Sequence, residues 1–345
     1  MKQKKVKCIV WDLDNTLWKG VLLENDEIEL SENIKDIIHE LDERGILQSI
    51  ASKNDFDVAW KKLETLGISD YFLVPQISWK NKSESIKLIS ELLNIGLDTI
   101  AFVDDQEYER DEVKSIHQEV RCYTNEQISQ LLKMEEFNPV FITDETNQRR
   151  KMYQTDFKRK NDENNFNGTN VEFVKNLNLK LSISLASNED LKRVEELTLR
   201  TSQMNTTGIV FTYEELLGII HDEKYRLYVV ELEDRYGGYG KVGLILLDVS
   251  QEQTWIINLF ILSCRVMNRG IGNVLLNYIL NLAKKKRYRV KAMFKPTNRN
   301  RIMMITYQFA GFKIFDERDD ILCLEHDLQN IENLPDYVEI VSKVD

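Results

Sequence analysis

The chain is poor in residues that break or staple a fold. Among 345 residues there are only 14 glycines and 4 prolines, which excludes collagen-like and low-complexity sequence. The four cysteines, Cys8, Cys122, Cys264 and Cys323, lie far apart and form neither a C-x-x-C pair nor zinc-ligand spacing. They suit a reducing compartment. No apolar run approaches the ~18 residues of a membrane helix. Met1-Lys2-Gln3-Lys4-Lys5 passes straight into a strand pattern, so no signal peptide is expected. An excess of positive charge is also missing: 46 Lys and Arg against 57 Asp and Glu give −11. Nonspecific nucleic-acid binding depends on neutralising phosphates and is therefore not expected.

What is present is ordinary globular material, 42% hydrophobic with 9% aromatic residues. At this length two domains are the default, and the expectation is a soluble, cytoplasmic protein without membrane contact. One basic cluster stands out, Lys284-Lys285-Lys286-Arg287. It reads either as a solvated helix end complementing the helix dipole or as a docking face for an acidic partner.

The first ~140 residues alternate strand and helix. Val6–Trp11 is a short apolar strand. Ile34, Ile37, Ile38 and Leu41 mark a helix stopped by Gly45. Strands at Leu47–Ala51, Tyr71–Val74 and Thr99–Val103 alternate with helices at Asp55–Leu66 and Lys82–Leu93. Such alternation implies a parallel sheet whose active site lies beyond the carboxyl ends of the strands. Residues 141–178 are polar and read as a connector, with Asn161–Asn170 as a loop. A second α/β unit spans 179–328, and 329–345 reads as a tail.

Four groups converge on the first sheet edge. Asp12 and Asp14 follow an apolar strand and, by alternation, point to one side. Ser52 ends a strand 40 residues later, and Lys82 opens a helix after a further 30. Asp104-Asp105 end another apolar strand. A carboxylate can attack a phosphoryl group, and a second can protonate the leaving oxygen. Carboxylates can also hold Mg²⁺, while a hydroxyl and an ammonium bind phosphoryl oxygens. Either acidic pair alone would pass for turn residues; both pairs in this order would not.

Residues 1–125 resemble the haloacid-dehalogenase (HAD) superfamily on these four motifs. The resemblance implies Asp12 as nucleophile and Asp14 as general acid/base. It implies Mg²⁺ held by Asp12, the Asp14 carbonyl, Asp104 and Asp105, with Ser52, Asn54 and Lys82 binding phosphate. Lys80 rivals Lys82, which is preferred because it sits at a helix start. The short intervals between motifs leave room only for a flap such as Lys19–Leu30.

In the second unit a long apolar strand, Trp255–Leu262, leads through Ser263-Cys264-Arg265 to Gly270-Ile271-Gly272 and a helix. This order resembles the GNAT N-acetyltransferase fold. Met267 stands where that family's signature carries Gln or Arg, which argues against an ordinary acetyltransferase. Cys264, beside Arg265 and Arg269 and before a helix start, has the setting of a reactive thiol. The other three cysteines read as packing residues.

Both halves together resemble the FkbH-like glyceryltransferase/phosphatases of polyketide-type biosynthesis. The residues carrying this are D-L-D-N-T-L-W-K-G from Asp12, W-K-N-K-S-E-S-I from Trp79, V-D-D-Q-E-Y-E-R from Val103, R-T-S-Q-M-N from Arg200 and L-S-C-R-V from Leu262. The fold implied is a HAD-like Rossmannoid parallel sheet plus a GNAT-like α/β domain. The activity implied takes phosphoglyceryl from 1,3-bisphosphoglycerate as a Cys264 thioester. It then removes the phosphate and loads glyceryl onto an acyl carrier protein. Arg265, Arg269, Gln203, Asn205 and Asn300 would contact substrate or partner. Two alternatives stand beside it, a Mg²⁺-dependent phosphatase with a noncatalytic second domain and a HAD scaffold fused to a true acetyltransferase.

Overall fold

The computed structural model describes residues 4–24, 27–139 and 142–342. The chain divides into two compact units, Met1–Gln154 and Thr155–Asp345.

The first unit begins with β1 (Cys8–Trp11), followed by the short antiparallel pair β2 (Trp18–Lys19) and β3 (Glu29–Leu30). Helix α1 (Ile34–Glu43) leads to β4 (Leu47–Ser52), and α2 (Phe56–Leu66) leads to β5 (Gln76–Ile77). Then come α3 (Lys82–Leu93), β6 (Ile100–Val103), α4 (Glu107–Ile116) and β7 (Arg121–Tyr123). The five main strands are all parallel, in the order β5-β4-β1-β6-β7. Every residue of β1, β4 and β6 is buried, which is why they read as unbroken rather than alternating apolar runs. Helix α1 buries Ile34, Ile37, Ile38 and Leu41, the stripe its spacing demands. At α2, Asp55 accepts a hydrogen bond from the Val58 N–H and Gly67 closes the helix in the left-handed region.

One strand moves from its expected place. Tyr71–Val74 is not a strand: a 3-10 turn covers Ser69–Tyr71, and pairing with β4 resumes at Gln76. Phe72 makes one isolated parallel bridge to Gln48, but Val74 is left-handed and Pro75 has no N–H to give a ladder, so continuous pairing begins only after them.

Two short helices, α5 (Asp144–Asn147) and α7 (Asn170–Lys175), flank α6 (Arg149–Asn164). The boundary between the units falls inside α6. The stretch 141–178 is therefore no loose spacer, since Phe173 and Leu177 are fully buried in the second unit's core. Arg159 of α6 is also buried. It makes a two-pronged contact with Asp234 at 2.7 and 2.9 Å, pairs with Asp156 at 2.7 Å, and lies 3.8 Å from the Tyr239 ring centroid. A buried guanidinium persists when its donors are this fully engaged. Asn161–Asn164, expected as loop, continue the helix.

The second unit contains β8 (Leu179–Leu185), α8 (Leu191–Arg200), α9 (Tyr213–His221), β9 (Tyr225–Asp234) and β10 (Gly237–Asp248). It continues with β11 (Thr254–Leu262), α10 (Ile271–Lys286), β12 (Arg289–Phe294) and α11 (Arg301–Phe309). The last strands are β13 (Lys313–Arg318), β14 (Ile321–His326) and β15 (Val338–Ser342). They form one mixed eight-stranded sheet, β13-β14-β12-β11-β10-β9-β8-β15. Successive residues serve opposite faces. Val229, Leu244 and Leu259 pack with α8 and α9, while Val230, Ile245 and Phe260 pack with α10 and α11. The expected tail is corrected in part: Val338–Ser342 pair in parallel with β8 and cover its open edge. Residues 343–345 lie outside the described residues. Among the described residues no helix is long and apolar enough to cross a membrane.

Candidate active site

The carboxyl ends of β1, β4 and β6 gather the first set of predicted residues. Asp12 leaves β1 buried, its N–H bonded to the Val103 carbonyl of β6 at 2.9 Å. Ser52 is the buried last residue of β4. Lys82 opens α3, and its buried ammonium contacts Asp12, donates to the Ala51 carbonyl at 2.8 Å and lies 3.2 Å from Asp104 Oδ2. Lys80 is exposed, so Lys82 is the lysine of this site.

Asp14 is held on both oxygens. Trp18 Nε1 and the Leu22 N–H donate to Oδ1 at 2.8 and 3.1 Å, and Asn54 Nδ2 donates to Oδ2 at 3.0 Å. Asn54 thus touches the second carboxylate rather than standing apart as a phosphate ligand. Burial nonetheless holds the Asp14 carboxyl above its ordinary range. A carboxylic acid that keeps its proton nearer neutrality suits proton donation to a leaving oxygen.

Asp12, Asp104 and Asp105 each present one carboxylate oxygen within 4.8 Å of the others. The Gln106 N–H satisfies Asp104 Oδ1 at 2.8 Å. Asp105 Oδ1 is buried without a hydrogen-bond partner, and Asp104 Oδ2 faces the Lys82 ammonium at 3.2 Å. Hard oxygen donors in this arrangement fit a divalent cation such as Mg²⁺. Burial raises both carboxyls, and the Asp12 charge adds to it, taking Asp104 up to about 7. Burial alone would lower Lys82, but the neighbouring carboxylates outweigh it and raise its pKa.

These shifts fix a pH dependence. A carboxyl with a raised folded-state pKa binds its proton more tightly folded than unfolded. The metal-free unit therefore loses stability as pH rises from the ordinary aspartate range through about 7 for Asp104. A bound cation offsets that loss. Thermal melts should show a larger Mg²⁺-induced rise in Tm at roughly pH 7.5 than at roughly pH 5.5. Equal shifts at both pH values would contradict this placement of the cation.

Two supporting residues escaped the sequence reading. Thr16 Oγ1 accepts the Asp105 N–H at 3.1 Å, and Arg110 Nη1 donates to the Asp104 carbonyl at 2.7 Å. Thr16 is two residues beyond Asp14, and that spacing was the available signal.

The second set is dispersed among structural duties. Cys264 is the first residue of a 3-10 turn, Cys264–Arg269, after β11. It is half-buried against the core rather than buried. Ser263 Oγ caps the turn by accepting the Arg265 N–H, and left-handed Gly270 turns the chain into α10. Arg269 is buried and paired with Glu163 at 3.0 Å. Asn205 Oδ1 accepts the Thr207 and Gly208 N–H groups at 3.1 and 2.8 Å. Asn300 Nδ2 donates to the Asn205 and Lys295 carbonyls at 2.9 and 3.0 Å. Both asparagines, expected as substrate contacts, clip loops together. Gln203 is half-buried. Among the other cysteines, burial pushes Cys8 far up and Cys122 up to about 11, as packing residues would show.

Residues 15–123 match the sequence profile of the haloacid dehalogenase-like hydrolase family. Asp12 and Asp14 precede that segment, so their assignment rests on geometry. No curated protein matches the chain. Among solved structures, the phosphatase-containing N-terminal part of a Bacteroides fragilis protein, complexed with Mg, is 30% identical. The match covers 35% of this chain and 36% of that one, with a TM-score of 0.33. A spermidine N-acetyltransferase from Vibrio cholerae matches at 17% identity over 42% of this chain and 91% of its own, TM-score 0.32. An IAA acetyltransferase from Bacillus cereus matches at 16% over 42% and 98%, TM-score 0.31. With the family profile covering four of the sheet's five main strands, the N-terminal unit carries a haloacid dehalogenase-like hydrolase domain.

Proposed function

We propose that the N-terminal unit is a Mg²⁺-dependent phosphatase, and that the second unit carries acyl groups for it. The observation that supports the first half is Lys82 set among Asp12, Asp104 and Asp105 at the sheet's edge. Asp12 bonds to phosphorus as the ester oxygen leaves, and Asp14 gives that oxygen its proton. Water then hydrolyses the aspartyl-phosphate, with Asp14 taking the proton back. Lys82 holds a phosphoryl oxygen. Mg²⁺ bound by Asp12, Asp104 and Asp105 would neutralise charge between carboxylate and phosphate.

The finer reading follows the FkbH-like resemblance. The Cys264 thiolate attacks the acyl phosphate of 1,3-bisphosphoglycerate and expels phosphate. The 3-phosphate is removed at Asp12, and the phosphopantetheine thiol of an acyl carrier protein takes the glyceryl group. Intact-mass analysis separates the steps. Asp12→Asn should accumulate phosphoglyceryl-protein, and Cys264→Ala should form no covalent acyl species. Normal glyceryl transfer by the alanine variant would remove Cys264 from the mechanism.

One observation favours the rival reading of a phosphatase with a noncatalytic second unit. Arg269, Asn205 and Asn300 are all spent on internal contacts. Under that reading, Cys264→Ala leaves every activity intact.

A further inference from the structure

The strongest feature outside the reacting carboxylates joins the segments that follow β4 and β6, the two strands beside β1. Lys53 lies between Ser52, which ends β4, and Asn54, which holds Asp14. Its ammonium donates to Glu109 Oε1 of α4 at 2.8 Å and to the Tyr108 hydroxyl at 3.4 Å. In the sheet, β1 separates β4 from β6. The Lys53–Glu109 bridge therefore links the loop after β4 to the first turn of α4, which follows β6, across the strand that delivers Asp12.

The two partners are unequal. Glu109's side chain is 6% exposed and Lys53's is 27% exposed. A buried carboxylate keeps its cation, so Lys53 is fixed in place rather than swinging in solvent. The hydrogen bond to Glu109 raises the Lys53 pKa, and the ammonium stays charged at neutral pH. An ammonium has three donors. Glu109 and Tyr108 take two, and the ammonium lies 5.5 Å from the ring centroid of Tyr108, a residue that is 63% exposed.

We propose that Lys53 is a specificity residue, reading an electron-rich oxygen on the substrate's carbon skeleton beyond the phosphoryl group. The chemistry that fits one fixed donor is a carboxylate or a carboxyl-derived carbonyl. Glu109 acts through Lys53 as its positioning residue. The inference rests on the phosphatase reading above and adds to it the recognition of the non-reacting end.

The test uses the full-length protein with Mg²⁺ and matched ligands. Glycerol 3-phosphate has no carboxyl group, 3-phosphoglycerate has a free carboxylate, and an N-acetylcysteamine thioester of 3-phosphoglycerate presents the carbonyl. The wild type should favour one or both carboxyl-derived ligands over glycerol 3-phosphate in kcat/KM, and which one identifies the oxygen read. Removing both partners together, Lys53→Met with Glu109→Gln, avoids stranding a buried charge. That double variant should lower the preference about tenfold to a hundredfold, the span of a hydrogen bond to a charged group. Lys53→Arg should recover part of it. A purely structural bridge would depress all ligands alike and leave the ratio within about twofold, which would overturn the assignment. So would a wild type without preference. If the wild type hydrolyses none of them, the phosphatase reading fails separately. The same ratios taken from calorimetric Kd values then decide the role of Lys53.

Discussion

Asp12→Asn should abolish phosphate release, by on the order of 10⁴-fold or more, because it removes the nucleophile while keeping its shape. The amide oxygen can still accept from Lys82, so the contact that anchors α3's first turn to β1 survives. One negative charge leaves a site where Asp104 and Asp105 are already raised by burial and by Asp12. The metal-free variant should therefore melt no lower than the wild type near neutral pH. Loss of turnover together with an unchanged or higher Tm places the effect in chemistry rather than folding. Residual phosphate release within about tenfold of wild type would assign the nucleophile elsewhere.

Lys82→Met should damage both stability and turnover. The ammonium is the cation that faces Asp12 and Asp104 inside the site. Removing one member of a buried ionic cluster typically costs about 3–5 kcal/mol. Denaturant unfolding of the metal-free protein should show that loss near neutral pH. It should shrink on mild acidification, as Asp104 takes up its proton below about 7. Added Mg²⁺ should also recover part of it. Turnover should stay low even with metal, since the phosphoryl oxygen loses its ammonium. A stability loss that persists unchanged at acid pH would mean that Lys82 acts by packing and not by charge.

The first site was legible because parallel sheets put strand ends together. Asp12, Ser52, Lys82 and Asp104 each sit at the boundary of an apolar run or a helix start, and sequence marks those boundaries well. Lys53 and Glu109 were not legible, since nothing local pairs residues 56 apart. Arg159 was hidden for the opposite reason: α6 reads as mostly polar, and the contacts with Asp156, Asp234, the Gly237 carbonyl and Tyr239 that make its burial tolerable are made largely by residues distant in sequence. The strand at Val338–Ser342 had its own alternation, but a five-residue edge strand at the chain's end is a weak pattern. Asn205 and Asn300 show a different limit of sequence. Their residue type suits substrate contact and loop clipping equally, and the loop clipping shows only in the positions of the neighbouring N–H and C=O groups.

The most direct measurement is phosphate release from small phosphate monoesters by the full-length protein, in Mg²⁺ and after EDTA treatment. Release should require the metal, vanish with EDTA, return when Mg²⁺ is restored in excess, and be absent in Asp12→Asn. Turnover that continues undiminished in EDTA, or that survives in Asp12→Asn, would contradict a metal-dependent phosphatase built on Asp12, Asp104 and Asp105.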